Sequence, residues 1–211
     1  MKIPVLYEDE HLLVVDKPPR LLVVDAPGRS GPTLVDHVQR QVEGDAFAVH
    51  RLDEDTTGAV LLARTPEARH ALDEMFRRHA IDRIYWAVVD QVPSPAAGKI
   101  ESRLQEDPRG IVRSVVSGPG KRAVTHFRTL RRGRRVLVEC RPETGRRNQI
   151  RVHLSELGCP ILGDRKYGYR PREGKPVKRL MLHAREVQFA HPITGQPLTV
   201  EAPAPEGYPE P

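Results

Sequence analysis

His50, Arg51 and Asp53 stand at the end of a short apolar run, in the stretch His50-Arg51-Leu52-Asp53-Glu54-Asp55-Thr56-Thr57-Gly58. A second apolar run, Ala59 to Ala63, follows the Thr-Thr-Gly turn. A carboxylate flanked by cations where two buried strands meet can serve as a catalytic acid, base or nucleophile. The alternative is an Asp-rich turn whose side chains cap the backbone, and this stretch alone favours it. A second segment shifts the balance: Thr144-Gly145-Arg146-Arg147-Asn148-Gln149-Ile150-Arg151-Val152-His153. A helix there places Arg147 and Arg151 four residues apart on one face, next to a stripe of Ile150, His153, Leu154 and Leu157. Arg151 is then partly buried and calls for a carboxylate. Asp53 is the only carboxylate in a comparably unusual setting. From the residues alone, contact of both arginines with phosphate or water stays the stronger reading.

These segments need elements to hold them. Strands are expected at Val5 to Glu8, Leu12 to Asp16, Leu21 to Asp25, Ala48 to Leu52 and Ala59 to Ala63. Thr33 caps a helix with Leu34, Val38 and Val42 on one face. Thr65-Pro66 opens a longer helix, with Ala68, Ala71, Leu72, Met75 and Phe76 at helical spacing. Further strands fall at Arg83 to Val89, Lys99 to Leu104, Val124 to Leu130 and Val136 to Cys140. A helix from about Arg147 to Leu157 ends at Gly158, and Met181 to Phe189 and Leu198 to Glu201 are late strands. The spans Gln91 to Gly98 and Asp107 to Gly120 are punctuated by Pro and Gly and read as loops. Ala202 to Pro211 holds four prolines and reads as a loose end. Strands outnumber helices without regular alternation, so the fold class is α+β, with a mixed, mostly antiparallel sheet and flanking helices. No internal repeat is present.

A chain of 211 residues suits one domain, or one domain with a lobe. The net charge is only +6, but Lys121 to His153 carries eleven Lys/Arg against two Glu, leaving the rest of the chain at −3. A basic segment on a slightly acidic body suggests a polyanion-binding face, and a solvated charged surface is the even alternative. Aromatics are 5%, too few for base stacking on many exposed rings. Cys140 and Cys159 belong to no C-x-x-C and read as reduced thiols in the cytoplasm. No secretory segment opens the chain, and no apolar run approaches the roughly 20 residues that span a bilayer, so no membrane partner is expected. The nine histidines show no metal-ligand spacing, and no metal site is expected.

The chain resembles the RluA family of pseudouridine synthases, from about Val5 to Pro203. Val5-Leu6-Tyr7-Glu8-Asp9 and Asp16-Lys17-Pro18 are similar to the family's opening. His50-Arg51-Leu52-Asp53 with Thr56 and Gly58 is similar to its catalytic motif, and Tyr85-Trp86-Ala87 to its tyrosine motif. Gly145-Arg146 with Gln149-Ile150-Arg151-Val152-His153 is similar to its arginine motif. Gly163-Asp164, Tyr167-Gly168, Leu182-His183-Ala184 and His191-Pro192-Ile193-Thr194-Gly195 are later echoes. One such motif would be weak; several in order are specific.

The resemblance implies the pseudouridine synthase fold, with a central active-site cleft, over a catalytic domain at 1–203 and a Pro-rich tail at 204–211. No accessory RNA-binding domain is expected before Val5. It implies isomerisation of a specific uridine in ribosomal or transfer RNA, by a monomer, with no cofactor. The N1–C1′ bond breaks, the uracil turns while bound, and it reattaches through C5. Asp53 would attack C1′ or take the C2′ proton. Arg151 would hold that carboxylate ionised and oriented. Tyr85 would stack on the uracil, and its hydroxyl could accept the C5 proton; without the resemblance, Tyr85 reads as a core aromatic. Arg51 would help fill the space left by an extruded nucleotide, with Leu52 and Ile150 as apolar walls. His50, Thr56, Arg146, Asn148 and Gln149 complete the expected substrate contacts. Thr57 stands where Ser is usual in the family, Asn148 where His is usual, Arg147 where Thr is common, and Arg20 where Gly is common. The runner-up is a non-catalytic RNA-binding protein that kept the fold. A glycoside hydrolase usually needs two working carboxylates, and only the adjacent Glu54 and Asp55 offer a second.

Overall fold

The structure, a computed structural model, describes residues 1–171 and 177–211. In chain order its elements are β1 (Val5–Glu8), β2 (Leu12–Lys17), α1 (Leu34–Gln39), β3 (Phe47–Ala48), β4 (Thr57–Ala63), α2 (Pro66–Arg77), β5 (Asp82–Val89), β6 (Ala97–Glu106), β7 (Val112–Ser114), β8 (Lys121–Arg131), β9 (Val136–Pro142), α3 (Gln149–Glu156), β10 (Leu182–Ala190) and β11 (Pro197–Glu201). The chain forms two compact units: Met1–Arg83 with His183–Ala204, and Ile84–Leu182 with Pro205–Pro211.

The first unit is built on β4, buried at all seven positions. β2 runs antiparallel to it from Leu12↔Ala63 to Lys17↔Gly58. β1 pairs antiparallel with β2, β3 with β4 and β11 with β10, whereas β10 lies parallel to the start of β4 at His183↔Thr57 and Ala184↔Gly58. Alternate residues of β2 and β4 (Leu12, Val14, Ala59, Leu61, Ala63) face one core with Ala68 and Leu72 of α2, as a period of two against a helical stripe dictates. Thr65 caps α2 by accepting Ala68 N–H at 3.2 Å, ahead of a proline in the first turn. Truncating Leu72 to Ala would remove about 2–5 kcal/mol.

Two expected strands of this unit do not form. Leu21 to Asp25 is irregular because its backbone serves other partners. The carbonyls of Leu22 and Val23 accept Leu34 N–H (2.7 Å) and Val35 N–H (3.3 Å) at the start of α1, and Leu21 N–H donates to Glu54 O at 3.2 Å. In Ala48 to Leu52 only Ala48 is in a strand. There the His50 ring, not a backbone carbonyl, takes the Leu61 N–H of β4. α1 stops at Gln39, short of Val42.

The second unit is an antiparallel run in the order β5-β9-β8-β6-β7. β7 lies inside the span expected to be loop. α3 packs on β7 and β8, and a core of Leu104, Val112, Ala123, Val152 and Tyr167 fills the space beneath it. The tail is no loose end. Arg135 Nη1 donates to Gly207 O (2.7 Å) and Arg131 Nη1 to Glu210 O (3.1 Å), and burial raises the Tyr208 hydroxyl's pKa. The proline count misled because chain–arginine bonds can hold a segment that has no secondary structure. Every pairing within either unit is antiparallel except β4 with β10, so the α+β, mixed and mostly antiparallel expectation holds.

Candidate active site

Asp53 opens a turn closed by Thr56 N–H, which donates to Asp53 O at 3.1 Å. The side chain of Asp53 is half-buried, Arg51 is exposed, and Leu52 and Thr56 are buried. The turn is braced by Lys17, fully buried at the end of β2. Its ammonium donates to the carbonyls of Pro18 (2.9 Å), Leu21 (2.8 Å) and Glu54 (2.8 Å), so all three of its donors are satisfied. Burial pushes its pKa down to about 8, against the pull of the Asp55, Asp53 and Glu54 carboxylates. Lys17 therefore stays mostly protonated at neutral pH, a fixed positive charge beside a turn that carries three carboxylates. His50 Nε2 accepts Leu61 N–H at 2.9 Å, and its ring stacks on Phe76 with centroids 4.9 Å apart. Burial, aided by the Arg83 charge, pushes its pKa down to about 3. His50 is thus a neutral acceptor that pins the Asp53 segment to β4. Thr57 Oγ1 lies 2.9 Å from His183 Nδ1, which fastens the start of β4 to β10.

The arginine segment belongs to the second unit. Thr144 Oγ1 accepts Val124 N–H (2.9 Å) and donates to Gln149 Oε1 (2.7 Å). Gln149 Oε1 also accepts Arg146 N–H (3.0 Å), and its Nε2 donates to Val124 O (2.8 Å) and Thr125 Oγ1 (2.9 Å). The Gln149 amide is thereby turned into the unit. Asn148 precedes α3 with φ +53°, a left-handed conformation that Asn tolerates better than most residues. Its Nδ2 donates to Tyr167 Oη (2.9 Å) and its Oδ1 accepts Arg151 Nη1 (3.1 Å). Arg151 forks onto Asp164, Nε to Oδ2 at 2.7 Å and Nη2 to Oδ1 at 2.8 Å, with its guanidinium 5.1 Å above the Tyr167 ring. Asp164 Oδ1 accepts Lys166 and Tyr167 N–H as well, both at 3.2 Å. Ile150 is buried and Arg146 exposed. His153 bridges Thr125 Oγ1 (2.9 Å) and Ser102 Oγ (3.0 Å), and burial pushes its pKa down to about 4. Tyr85, buried on β5, sits opposite Cys140 of β9. Among the described residues, no three His, Cys, Asp or Glu side chains gather as a metal-binding group, and no helix is long and apolar enough to cross a membrane.

The family model for RNA pseudouridylate synthase matches residues 11–156, a span that contains the Asp53 turn, Tyr85 and all of α3. This chain belongs to the RNA pseudouridylate synthase family. The resemblance drawn from the motifs is borne out. The chain is 39% identical to "Ribosomal large subunit pseudouridine synthase D" of Xylella fastidiosa, over 96% of this chain and 66% of that protein. It thus spans just under two thirds of that relative. It is 37% identical to an uncharacterized RNA pseudouridine synthase of Zymomonas mobilis, covering 97% of this chain and 94% of the relative. Among solved structures, human RNA pseudouridylate synthase domain containing 4 superposes with a TM-score of 0.78 at 28% identity, over 96% of this chain and 89% of that one.

Arg20, where the resemblance leads one to expect Gly, has φ +61°, a conformation glycine adopts without strain. Two residues, one in each unit, carried no role in the sequence reading. Lys17 had a signal, a lysine closing the run Leu12-Leu13-Val14-Val15-Asp16, where a solvated lysine is out of place. Asp164 is the carboxylate that Arg151 takes within its own unit, and only its place in a motif hinted at it.

Proposed function

We propose that this pseudouridylate synthase family member isomerises specific uridines to pseudouridine in RNA, with Asp53 opening the reaction. The observation that carries this reading is the half-buried Asp53 on a turn braced by the buried Lys17 ammonium, in a chain of this family. The carboxylate attacks C1′ or takes the C2′ proton, and the N1–C1′ bond breaks. C5 of the turned uracil then bonds to C1′, displacing the Asp53 carboxylate from C1′ in the first route, or with Asp53 returning its proton to C2′ in the second. The C5 proton passes to the Tyr85 oxygen, our assigned base, as the hydroxyl releases its own proton, and N1 takes up one proton, so one proton leaves carbon, one arrives on nitrogen and the reaction needs no outside reactant. We assign Arg151 as the cation that orients the reacting carboxylate, with its own orientation fixed by its fork on Asp164. The exposed Arg51 and Arg146 are offered to the RNA, while His50, Leu52, Thr56, Asn148, Gln149 and Ile150 shape the walls. The Xylella relative is named for the ribosomal large subunit, so we take large-subunit ribosomal RNA as the first substrate to test and transfer RNA as the second. The buried free thiols Cys140 and Cys159 fit the reducing cytoplasm.

The test is pseudouridine mapping in those RNAs after incubation with the protein and with Asp53→Asn. We expect wild type to convert a defined uridine, and Asp53→Asn to lose at least about a hundredfold in rate while keeping its RNA affinity. An Asn variant within tenfold of wild type would remove Asp53 from the chemistry.

A further inference from the structure

β8 and β9 turn over through Arg131-Arg132-Gly133-Arg134-Arg135, four arginines in five residues with no carboxylate among them. The reversal uses Gly133 at φ +150° and a bulge between Thr129 and Arg131. Neither device needs an arginine. All four arginines are exposed, and all four line one cavity of about 780 Å³ whose wall also holds Asp90 and the half-buried Tyr169. That volume lies within the roughly 300–1,000 Å³ of small-molecule sites. With one carboxylate against four guanidiniums, the lining is strongly positive. Arg131 and Arg135 are anchored on the tail carbonyls of Glu210 and Gly207. Arg132 and Arg134 have no hydrogen bond or ion pair among the described residues. Two held arginines and two uncommitted ones around a cavity with an aromatic wall match what a nucleotide presents, a phosphate and a π-face.

We propose that this cavity binds one nucleotide of the RNA that flanks the target uridine, with the arginines on its phosphates and Tyr169 against its base. This rests on the reading of the protein as an RNA-modifying enzyme. The cavity is separate from Tyr85. On β5 and β9 the register runs from Tyr85↔Cys140 to Val89↔Val136, and Asp90 follows Val89. Five residues of strand at about 3.3 Å each put the cavity roughly 16 Å from the Tyr85 level. A few nucleotides of single strand bridge that distance, whereas a free small anion would gain nothing from it.

The experiment is Arg132→Ala with Arg134→Ala, since neither side chain holds the fold, and a thermal melt confirms that the variant is folded. Two substrates are compared: a minimal stem–loop around the converted uridine and a longer RNA with single-stranded flanks. For the longer RNA we expect KM to rise about tenfold with kcat unchanged. The slope of log K against log salt should shrink by about 1.4, at about 0.7 per phosphate contact on single strands. The stem–loop should be handled as by wild type. Unchanged KM and salt slope on the longer RNA would overturn the proposal. So would a variant that loses binding of inorganic phosphate but keeps its RNA slope, because the cavity would then be a free-anion site. If wild type converts no uridine at all, the enzymatic reading fails, while the binding slopes still judge the cavity.

Discussion

Asp164 and Lys17 owe their roles to partners that the fold chooses. Asp53, Tyr85 and Arg151 could be singled out because each sits in a run of unusual residue types. Asp164 lies in an ordinary Gly-Asp turn, and only the packing of α3 brings the Arg151 guanidinium onto it in a two-bond fork. Lys17 acts through Glu54 O, 37 residues further along the chain. Its environment is set by a strand and a turn, which no local pattern reports. The Arg151–Asp164 fork yields a test. Asp164 has no exposed side-chain surface and Arg151 only 12%, so removing one partner strands a buried charge, at about 3–5 kcal/mol. Arg151→Met should destabilise the protein by that amount. Adding Asp164→Asn should cost much less than the sum of the single changes, with a coupling of about 1–3 kcal/mol in a denaturation cycle. Asn keeps an acceptor for Lys166 and Tyr167 N–H, so the cycle isolates the charge. Additive effects would mean that Asp164 does not hold Arg151.

At the scale of elements, legibility followed hydrophobic period. β4 reads as a strand because it is buried on both sides, and α2 reads as a helix because cap, proline and apolar stripe agree. Leu21 to Asp25 carries the same apolar density yet is irregular, since its carbonyls serve α1 and its Leu21 carbonyl serves Lys17. Apolar content states that a segment is buried, whereas the partner of its backbone decides whether it is a strand. The join of β4 and β10 shows what single residues must permit. Gly58 has φ +109°, and a Cβ there would overlap the Ala184 carbonyl oxygen. Because this pairing is backbone against backbone, no side chain can move aside. Gly58→Ala should therefore destabilise the first unit by at least about 2 kcal/mol, from the left-handed conformation and the overlap together. Protection of the Thr57 to Ala63 amides against hydrogen exchange should fall selectively. Unchanged protection would show that β10 is not held against β4 by this glycine.

Over the whole molecule, charge was legible as a sum and not as a map. Of the eleven Lys/Arg between Lys121 and His153, Arg122 pairs with Glu101, Arg128 and Arg141 with Glu139, Arg147 with Glu106 and Arg151 with Asp164. Five of the positive charges thus face protein carboxylates, and the excess concentrates at the β8–β9 turn. Histidine shows the same gap between count and setting. The sequence prints nine, but each unit encloses one that the fold keeps neutral: His50, held down to about 3, and His153, held down to about 4, both chiefly by burial. Both values lie below the ordinary 6.5 of histidine, so between them and 6.5 the unfolded chain binds more protons than the folded one. Stability is then full above pH 6.5 and falls as the pH drops towards 4. For His153 a depression of about 2.5 units corresponds to roughly 3 kcal/mol. At about 2–4 °C per kcal/mol for a chain of this size, that lowers Tm by roughly 6–12 °C between pH 7 and pH 4. Carboxylates held low by their cations, such as Glu139 between Arg128 and Arg141, act mainly below that window. His153→Gln retains groups that can bond Ser102 and Thr125 but cannot titrate. Its melting curve should lie below that of wild type at pH 7 and converge on it at pH 4. Parallel curves for the two proteins across that range would mean that His153 is not the group whose protonation loosens the second unit.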